Sequence, residues 1–438
     1  MHAYRTRRAQ LIAQMRQHGG GVAVIPTAPE VMRNNDVEYP YRHDSYVHYL
    51  SGVTEPEAVI VLVAGAHSRA ILFCRDKDPA REIWHGARRT PEEACAHFGF
   101  DQAFPIAALG EHMPALLADA PALFAGMGRN AAFDERLHGW LRGLRSAGRS
   151  GVRAPPLIHD VNMLIDEMRL LKDGGELATM RRAAAVSADA HLRTMRTARA
   201  GMAEYQVEAE LLYEFHRQGA AAPAYPAIVA AGANACVLHH NPGRTVMQDG
   251  ELLLIDAGCE LDSYAADITR TFPVSGRFSP AQKRIYQIVL DAQLAAIAAV
   301  RPGAHVMAPH EAAVRVLAQG MLDTGLLQAG RAGGLDDVIA SGAWRQFFMC
   351  KTSHWLGMDV HDVGSYREPG SDAWRILHPG MTLTVEPGLY IRPAPGVPEQ
   401  YWHIGIRIED DVAVLPAGRE VMSAGVPKTP DELEALLR

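Results

Sequence analysis

Long apolar runs are missing from this chain: the longest, Ala58 to Ala66, falls far short of the ~18 residues that a membrane span needs. Basic runs are missing too. With 43 Lys+Arg against 50 Asp+Glu the formal charge is −7, which speaks against nucleic acid held through its phosphates. Cysteine is scarce, at Cys74, Cys95, Cys236, Cys259 and Cys350. The odd number, the wide spacing and the lack of any CxxC pair argue against a zinc ribbon, a redox dithiol or a secreted disulfide framework. They predict reduced thiols in a cytoplasmic protein. Acidic residues are absent before Glu30, while Arg5, Arg7, Arg8 and Arg16 precede it, a bias that transit peptides share. However, no serine appears before Ser45. Leu11, Ile12 and Met15 also fit one face of a short core-facing helix, so an ordinary first helix is expected.

What is present is globular. Hydrophobic residues make up 48% and charged residues 21% of 438 positions, leaving little room for disorder. At about 100–200 residues per domain the length predicts two or three domains. Residues 1–172 read as an α/β domain. Short β-rich runs (Gly21–Ile25, Ala58–Val63, Ala70–Phe73) alternate there with helical patterns such as Pro91–Phe98 and Glu111–Leu117. A helix over Met163–Leu171 leads to Lys172-Asp173-Gly174-Gly175, a polar break suited to a domain junction.

Residues 173–438 carry one plan twice. A helix from about Glu176 to Ala198 stops at Arg199-Ala200-Gly201, and an amphipathic helix follows with Val207, Leu211 and Phe215 on one face. Ser279-Pro280-Ala281-Gln282 then supplies an N-cap, a Pro at N1 and a capping-box Gln. The helix it opens stops at Arg301-Pro302-Gly303, and another starts near His310. Strands are expected over 226–230 and 251–274 in one half, and over 381–391 and 403–414 in the other. Two α+β halves facing each other would leave a cleft between their sheets.

Four segments carry chemistry. Leu252–Asp256 and Asp267–Thr271 flank a turn at Glu260–Ser263 and read as an antiparallel hairpin. With the turn centred between Leu261 and Asp262, Asp256 and Asp267 are cross-strand partners on one face, and Ile255 and Ile268 pair on the other. Like charges opposed at ~4 Å repel by about 4 kcal/mol at an effective dielectric near 20. Either a cation lies between them, one is protonated, or the hairpin is exposed and each Asp is solvated. His354-Trp355-Leu356-Gly357 through His361-Asp362-Val363-Gly364 reads as a loop or strand segment around a site rather than a helix. Leu383-Thr384-Val385-Glu386-Pro387-Gly388 is a strand ending in a carboxylate. In Ile404–Asp410, strict alternation sets Ile404, Ile406 and Ile408 on one face and Arg407 with Glu409 on the other. Four carboxylates and a histidine in one cleft are tolerable only around cations, and two divalent ions balance the charge. Oxygen-rich donors with one imidazole suit a hard to borderline ion such as Mn²⁺ better than structural zinc. Two such ions can clamp a water, lower its pKa and polarise a carbonyl, which is a hydrolase site.

At these residues the chain resembles the pita-bread metallopeptidases, and within them the Xaa-Pro aminopeptidase (aminopeptidase P) branch. The matching runs lie in the family's order: Ile255–Cys259, Asp267–Phe272, Ser353–Gly357, Val360–Gly364, Val385–Gly388 and Gly405–Asp410. In the first domain Arg33-Asn34-Asn35-Asp36, Tyr39-Pro40-Tyr41-Arg42 and Glu55-Pro56-Glu57-Ala58 match as well. The resemblance implies an α+β pita-bread catalytic domain with an internal pseudo-two-fold repeat, preceded by a smaller creatinase-like α/β domain. It implies that Asp256, Asp267, His354, Glu386 and Glu409 hold two metal ions, usually Mn²⁺, with Co²⁺ or Zn²⁺ as other occupants. Asp267 and Glu409 would bridge the two ions. Asp256 would complete one, and His354 with Glu386 the other, Glu386 also taking a proton from the bridging water. His239 and His361 match substrate-binding and proton-handling histidines, and Arg407 a supporting arginine. Trp84 resembles an aromatic offered to substrate by a neighbouring subunit, so a homodimer or homotetramer is implied. The implied activity releases the first residue of peptides whose second residue is proline. Leu238-His239-His240-Asn241-Pro242 departs from the family's commoner Leu-His-Tyr start and leaves the role of His240 open. Prolidase shares the fold and ligands but takes only dipeptides; a non-catalytic pita-bread peptide binder and metal-free creatinase would lack ligands that are all present here.

Overall fold

The computed structural model describes residues 2–437, which divide into units over 1–168 and 169–438. In the first, six strands form a mixed sheet in the order Gln102–Pro105, Arg69–Cys74, Val59–Ala64, Gly21–Pro26, Ala122–Ala125, Leu157–His159. The three apolar runs of the sequence form its middle. Gly21–Pro26 lies antiparallel to Val59–Ala64 and parallel to Ala122–Ala125. Alternate residues Val22, Val24, Val59, Val61, Ile71 and Phe73 pack on Leu109, Met113, Leu117 and Leu137, as the two-residue period of a strand requires.

The opening helix, His2–Gln17, buries Leu11 and Met15 and, less expectedly, Arg7 and Arg8. Arg8 donates through Nη1 to Leu50 O at 2.8 Å and through Nη2 to Phe98 O at 3.2 Å and to Gly99 O. Arg7 donates to Tyr49 O. These carbonyls end the helices Ser45–Ser51 and Pro91–Phe98, where no intrahelical partner remains. The early arginines therefore serve as C-terminal caps for two other helices.

The second unit begins with α1 (Gly174–Thr197), opened by an Asp173–Glu176 capping box, and α2 (Glu204–Arg217), which buries Val207, Leu211 and Phe215. Strands β1 (Ile228–Ala231), β2 (Leu252–Asp256), β3 (Cys259–Leu261), β4 (Tyr264–Ala265) and β5 (Thr269–Pro273) follow. β1-β2-β5 form an antiparallel sheet, and β3 pairs with β4. The plan then recurs. α3 (Pro280–Ala299) starts with the expected Ser279 cap, Pro280 and Gln282, and α4 (Ala308–Asp323) packs against it. β6 (Thr382–Val385), β7 (Gly388–Ile391), β8 (Ile404–Arg407), β9 (Asp410–Leu415) and β10 (Gly418–Val421) complete the second half. There β6-β9-β10 form the antiparallel sheet and β7 pairs with β8.

The hairpin turn lies one residue further along than expected, which moves each strand partner by two. Asp256 lies opposite Thr269, and Ile255 opposite Arg270, so the two aspartates are diagonal neighbours and the two isoleucines are not paired. The turn is Asp262-Ser263, with φ of 48° and 70°, flanked by the Leu261–Tyr264 pair. Two consecutive left-handed residues match the twist of the strands they join. Gly258 is obligatory in this path, since a Cβ there would lie 1.7 Å from Ala266 O. The exposed reading of the hairpin also fails, because Asp256 and Asp267 are both buried.

Candidate metal centre and its cavity

A cavity of about 540 Å³ in the second unit is lined by Asp256, Asp267, His354, Glu386 and Glu409, and by His239, His361 and Arg407. The ends of strands deliver the acids. Asp256 is the last residue of β2, Glu386 follows β6, and Glu409 lies between β8 and β9, where the chain passes from one sheet to another. Glu409 donates its N–H to Thr269 O across the two halves of the repeat. His354 stands on an irregular segment laid along β6. Its N–H donates to Thr384 Oγ1 at 3.1 Å, its Nδ1 bonds Trp355 O at 2.9 Å, and Thr384 N–H donates to His354 O. Trp355, fully buried, stacks on Tyr366 at 5.4 Å and anchors that segment.

Asp267, His354 and Glu409 each offer a ligand atom, all within 4.8 Å of one another. His354 Nε2 lies 3.3 Å from Asp267 Oδ2 and 3.6 Å from Glu386 Oε1. Bonding through Nδ1 to a backbone carbonyl leaves Nε2 aimed at the acids, the usual orientation of a ligand histidine. Asp256 Oδ2 accepts from Arg407 Nη2 at 2.5 Å. Arg407 continues through Nε to Thr269 Oγ1 at 3.1 Å and through Nη1 to Tyr390 OH at 2.8 Å. His361 packs edge-on to His354 with ring centroids 4.4 Å apart.

Crowded buried acids resist ionisation. Burial, then the Asp256 charge, raises Asp267. Burial lifts Glu386 to about 7 despite His354 and Arg407, and burial with Asp267 and Glu386 raises Glu409 well above its ordinary value. Burial alone would depress His354, yet Asp267 and Glu386 hold it at about 9. His361 moves the other way, lowered by burial and then by His354 and His239. Carboxyls raised in this way ionise once a cation is bound beside them. The donor set, four carboxylates and one imidazole, fits divalent ions of hard to borderline character.

Tyr225 joins the cluster without any motif to announce it: its OH is shared between Asp256 Oδ1 and Asp267 Oδ1. Thr269 donates to Glu409 Oε2 at 2.6 Å. Asp411 accepts the N–H of Asp267 with both oxygens. Asp362, next to His361, is held by Arg169 Nη2 at 2.7 Å and Lys172 Nζ at 2.9 Å. Trp84 belongs to the first unit and does not line this cavity; it lies on the helix Pro79–His85 and is 82% exposed.

The sequence profile described as "Metallopeptidase family M24" matches residues 178–416. The chain belongs to this family. A second profile, "Aminopeptidase P, N-terminal domain", matches residues 4–124, so the M24 unit follows a domain of that type. Among M24 relatives, the Xaa-Pro aminopeptidase of Escherichia coli is 44% identical over 99% of this chain and 97% of its own length. That of Haemophilus influenzae is 39% identical over 99% and 96%. The solved aminopeptidase PepP of Pseudomonas aeruginosa superposes with a TM-score of 0.95 at 48% identity, covering 99% of this chain and 97% of that one. A zinc-substituted E. coli aminopeptidase P in complex with product superposes with a TM-score of 0.95 at 43% identity, covering 100% and 98%.

Proposed function

We propose that this M24 metallopeptidase is an Xaa-Pro aminopeptidase, hydrolysing the bond between the first residue and a following proline. The observation that carries the reading is one cavity lined by Asp256, Asp267, His354, Glu386 and Glu409 together with His239 and His361, in which Asp267, His354 and Glu409 bring ligand atoms within 4.8 Å of one another. An Xaa-Pro bond is a tertiary amide: it has no N–H, and its φ is fixed. Its leaving group is a secondary amine that departs only when protonated, so the site must both assist attack and supply a proton.

In this reading Asp256, Asp267, His354, Glu386 and Glu409 would hold two divalent ions. When bound, the ions supply Lewis acidity toward the carbonyl and lower the pKa of water. The chain's own groups do the rest. Glu386, lining the same cavity, accepts the proton of the attacking water. His361, whose pKa is lowered, stays neutral at pH 7 and can donate a hydrogen bond to the developing oxyanion. His239 holds the peptide and carries a proton toward the proline nitrogen. Arg407 fixes Asp256. Mn²⁺ is the proposed resident metal, supported by the oxygen-rich donors and the charge balance.

The exposed Trp84, beside Ile83 at 83% exposure, supports a homodimer or homotetramer in which that face meets a second copy. A cytoplasmic setting is supported by five cysteines that are all free. No described helix is long and apolar enough to cross a membrane.

The test compares an Xaa-Pro-Yaa tripeptide with an Xaa-Pro dipeptide. Release of Xaa from the tripeptide is expected. Turnover of the dipeptide alone would replace this reading with a prolidase, and turnover of neither would remove it.

A further inference from the structure

The segment between β1 and β2 carries His239 into the cavity, yet His239 has no hydrogen-bond partner among the described residues. Its ring is therefore placed by its backbone, and its backbone by its neighbours. Those neighbours converge on one side chain. Glu204, the first residue of α2, is 0% exposed. Its Oε1 accepts from Ala231 N–H and from Asn234 Nδ2, both at 2.9 Å. Its Oε2 accepts from Gly243 N–H at 3.0 Å and from His240 Nε2 at 2.9 Å. The four donors span residues 231–243, bracketing His239. The return of the chain is tied to the same helix end: Glu204 N–H donates to Thr245 O, Tyr205 N–H to Gly243 O, and Met247 N–H to Met202 O.

We infer that Glu204 is a positioning residue for His239, and that His240 is the strap through which it acts at the adjacent position. Resting on the proposed role of His239, the inference assigns a role to the histidine that departs from the family's run. Burial alone would hold the Glu204 carboxyl up, but the Ala231, Asn234, His240 and Gly243 donors bring it below its ordinary value. The carboxylate is thus ionised and purely an acceptor, so His240 must carry its hydrogen on Nε2. An amide at 204 cannot satisfy the same set: its oxygen replaces one acceptor, while its NH₂ meets donors. A buried acceptor with four charge-assisted bonds is rigid, and a misplaced catalytic group costs far more than the displacement suggests.

The experiment is a double-mutant cycle on the metal-loaded full chain, with kcat/KM for an Xaa-Pro-Yaa peptide and Tm read together. E204Q is expected to lower kcat/KM at least about tenfold. H240A, which leaves Glu204 three donors, should lower it by a smaller factor. In an H239A background neither change should lower kcat/KM by as much as about twofold, because the group they position is gone. Should E204Q fail to fold, H240A alone and with H239A closes the same cycle. Equal losses with and without His239 would make Glu204 a mere support of the fold and overturn the inference, as would single variants at the parent's kcat/KM. An H239A variant with undiminished kcat/KM would remove the His239 role itself, and the inference with it. That failure shows in the single variant before the cycle is closed.

Discussion

His191 lies fully buried in the middle of α1, its Nε2 bonded to Ala257 O at 3.0 Å, one residue past Asp256. Burial, with the Arg270 charge adding and the bond to Ala257 opposing, lowers its pKa to about 4, against about 6.5 in the unfolded chain. The unfolded state therefore binds the extra proton as pH falls through 6.5, while the folded state refuses it. Stability present above pH 6.5 is lost on acidification, by about 2 kcal/mol between pH 7 and 5 for this residue. Gln at 191 can donate the same bond without titrating, so urea midpoints of H191Q should change less over that range than those of the parent. Identical pH slopes would place the acid sensitivity elsewhere. The five residues proposed as metal donors stood out at this scale because each sits in a short run with a distinctive local form, such as Val385-Glu386-Pro387-Gly388. Tyr225 and Glu204 were not. Tyr225 meets acids at 256 and 267, and Glu204 meets donors at 231–243, through folding alone, and nothing beside either residue in the sequence encodes those meetings.

Among elements, helix starts were the most readable feature, since a cap is a contract between residues three apart. Ser279 with Gln282 and Thr90 with Glu93 form capping boxes as local chemistry dictates. Pairing between strands was harder. The hairpin register hinges on whether the turn takes Leu261-Asp262 or Asp262-Ser263, and without an Asn-Gly or Asp-Gly pair the sequence does not discriminate. The slip matters because it puts Gly258, rather than a side chain, at the close approach to Ala266. A methyl group there collides with backbone, not with a movable side chain. G258A should therefore lower stability by at least about 3 kcal/mol. It should also weaken metal binding by splaying Asp256 from Asp267, as read by thermal melting and by metal titration. A variant that melts with the parent and binds metal as tightly would show that the backbone yields there.

For the whole molecule the repeat was visible as two helix pairs, each leading into strands, and the cleft followed from it. The convergence of acids from β2, β6 and the β8–β9 crossing on one cavity came from the family resemblance rather than from residue spacing, because it depends on how the two sheets of the second unit approach. That convergence sets the response to chelation. Dialysis against a chelator should abolish turnover and lower Tm, since ions that bind only the folded state add stability by mass action. A divalent ion restored at 100 times its Kd returns about 2.7 kcal/mol per site. Elemental analysis should find two ions per chain, and a Tm indifferent to chelator would contradict the cluster as a metal centre. At the far end of the chain, the plugs that Arg7 and Arg8 insert into two helix exits bear on how this protein is handled in the laboratory. A fusion partner or trimmed start that frays the opening helix would uncork carbonyls some ninety positions downstream, so an affinity handle belongs after the last helix instead.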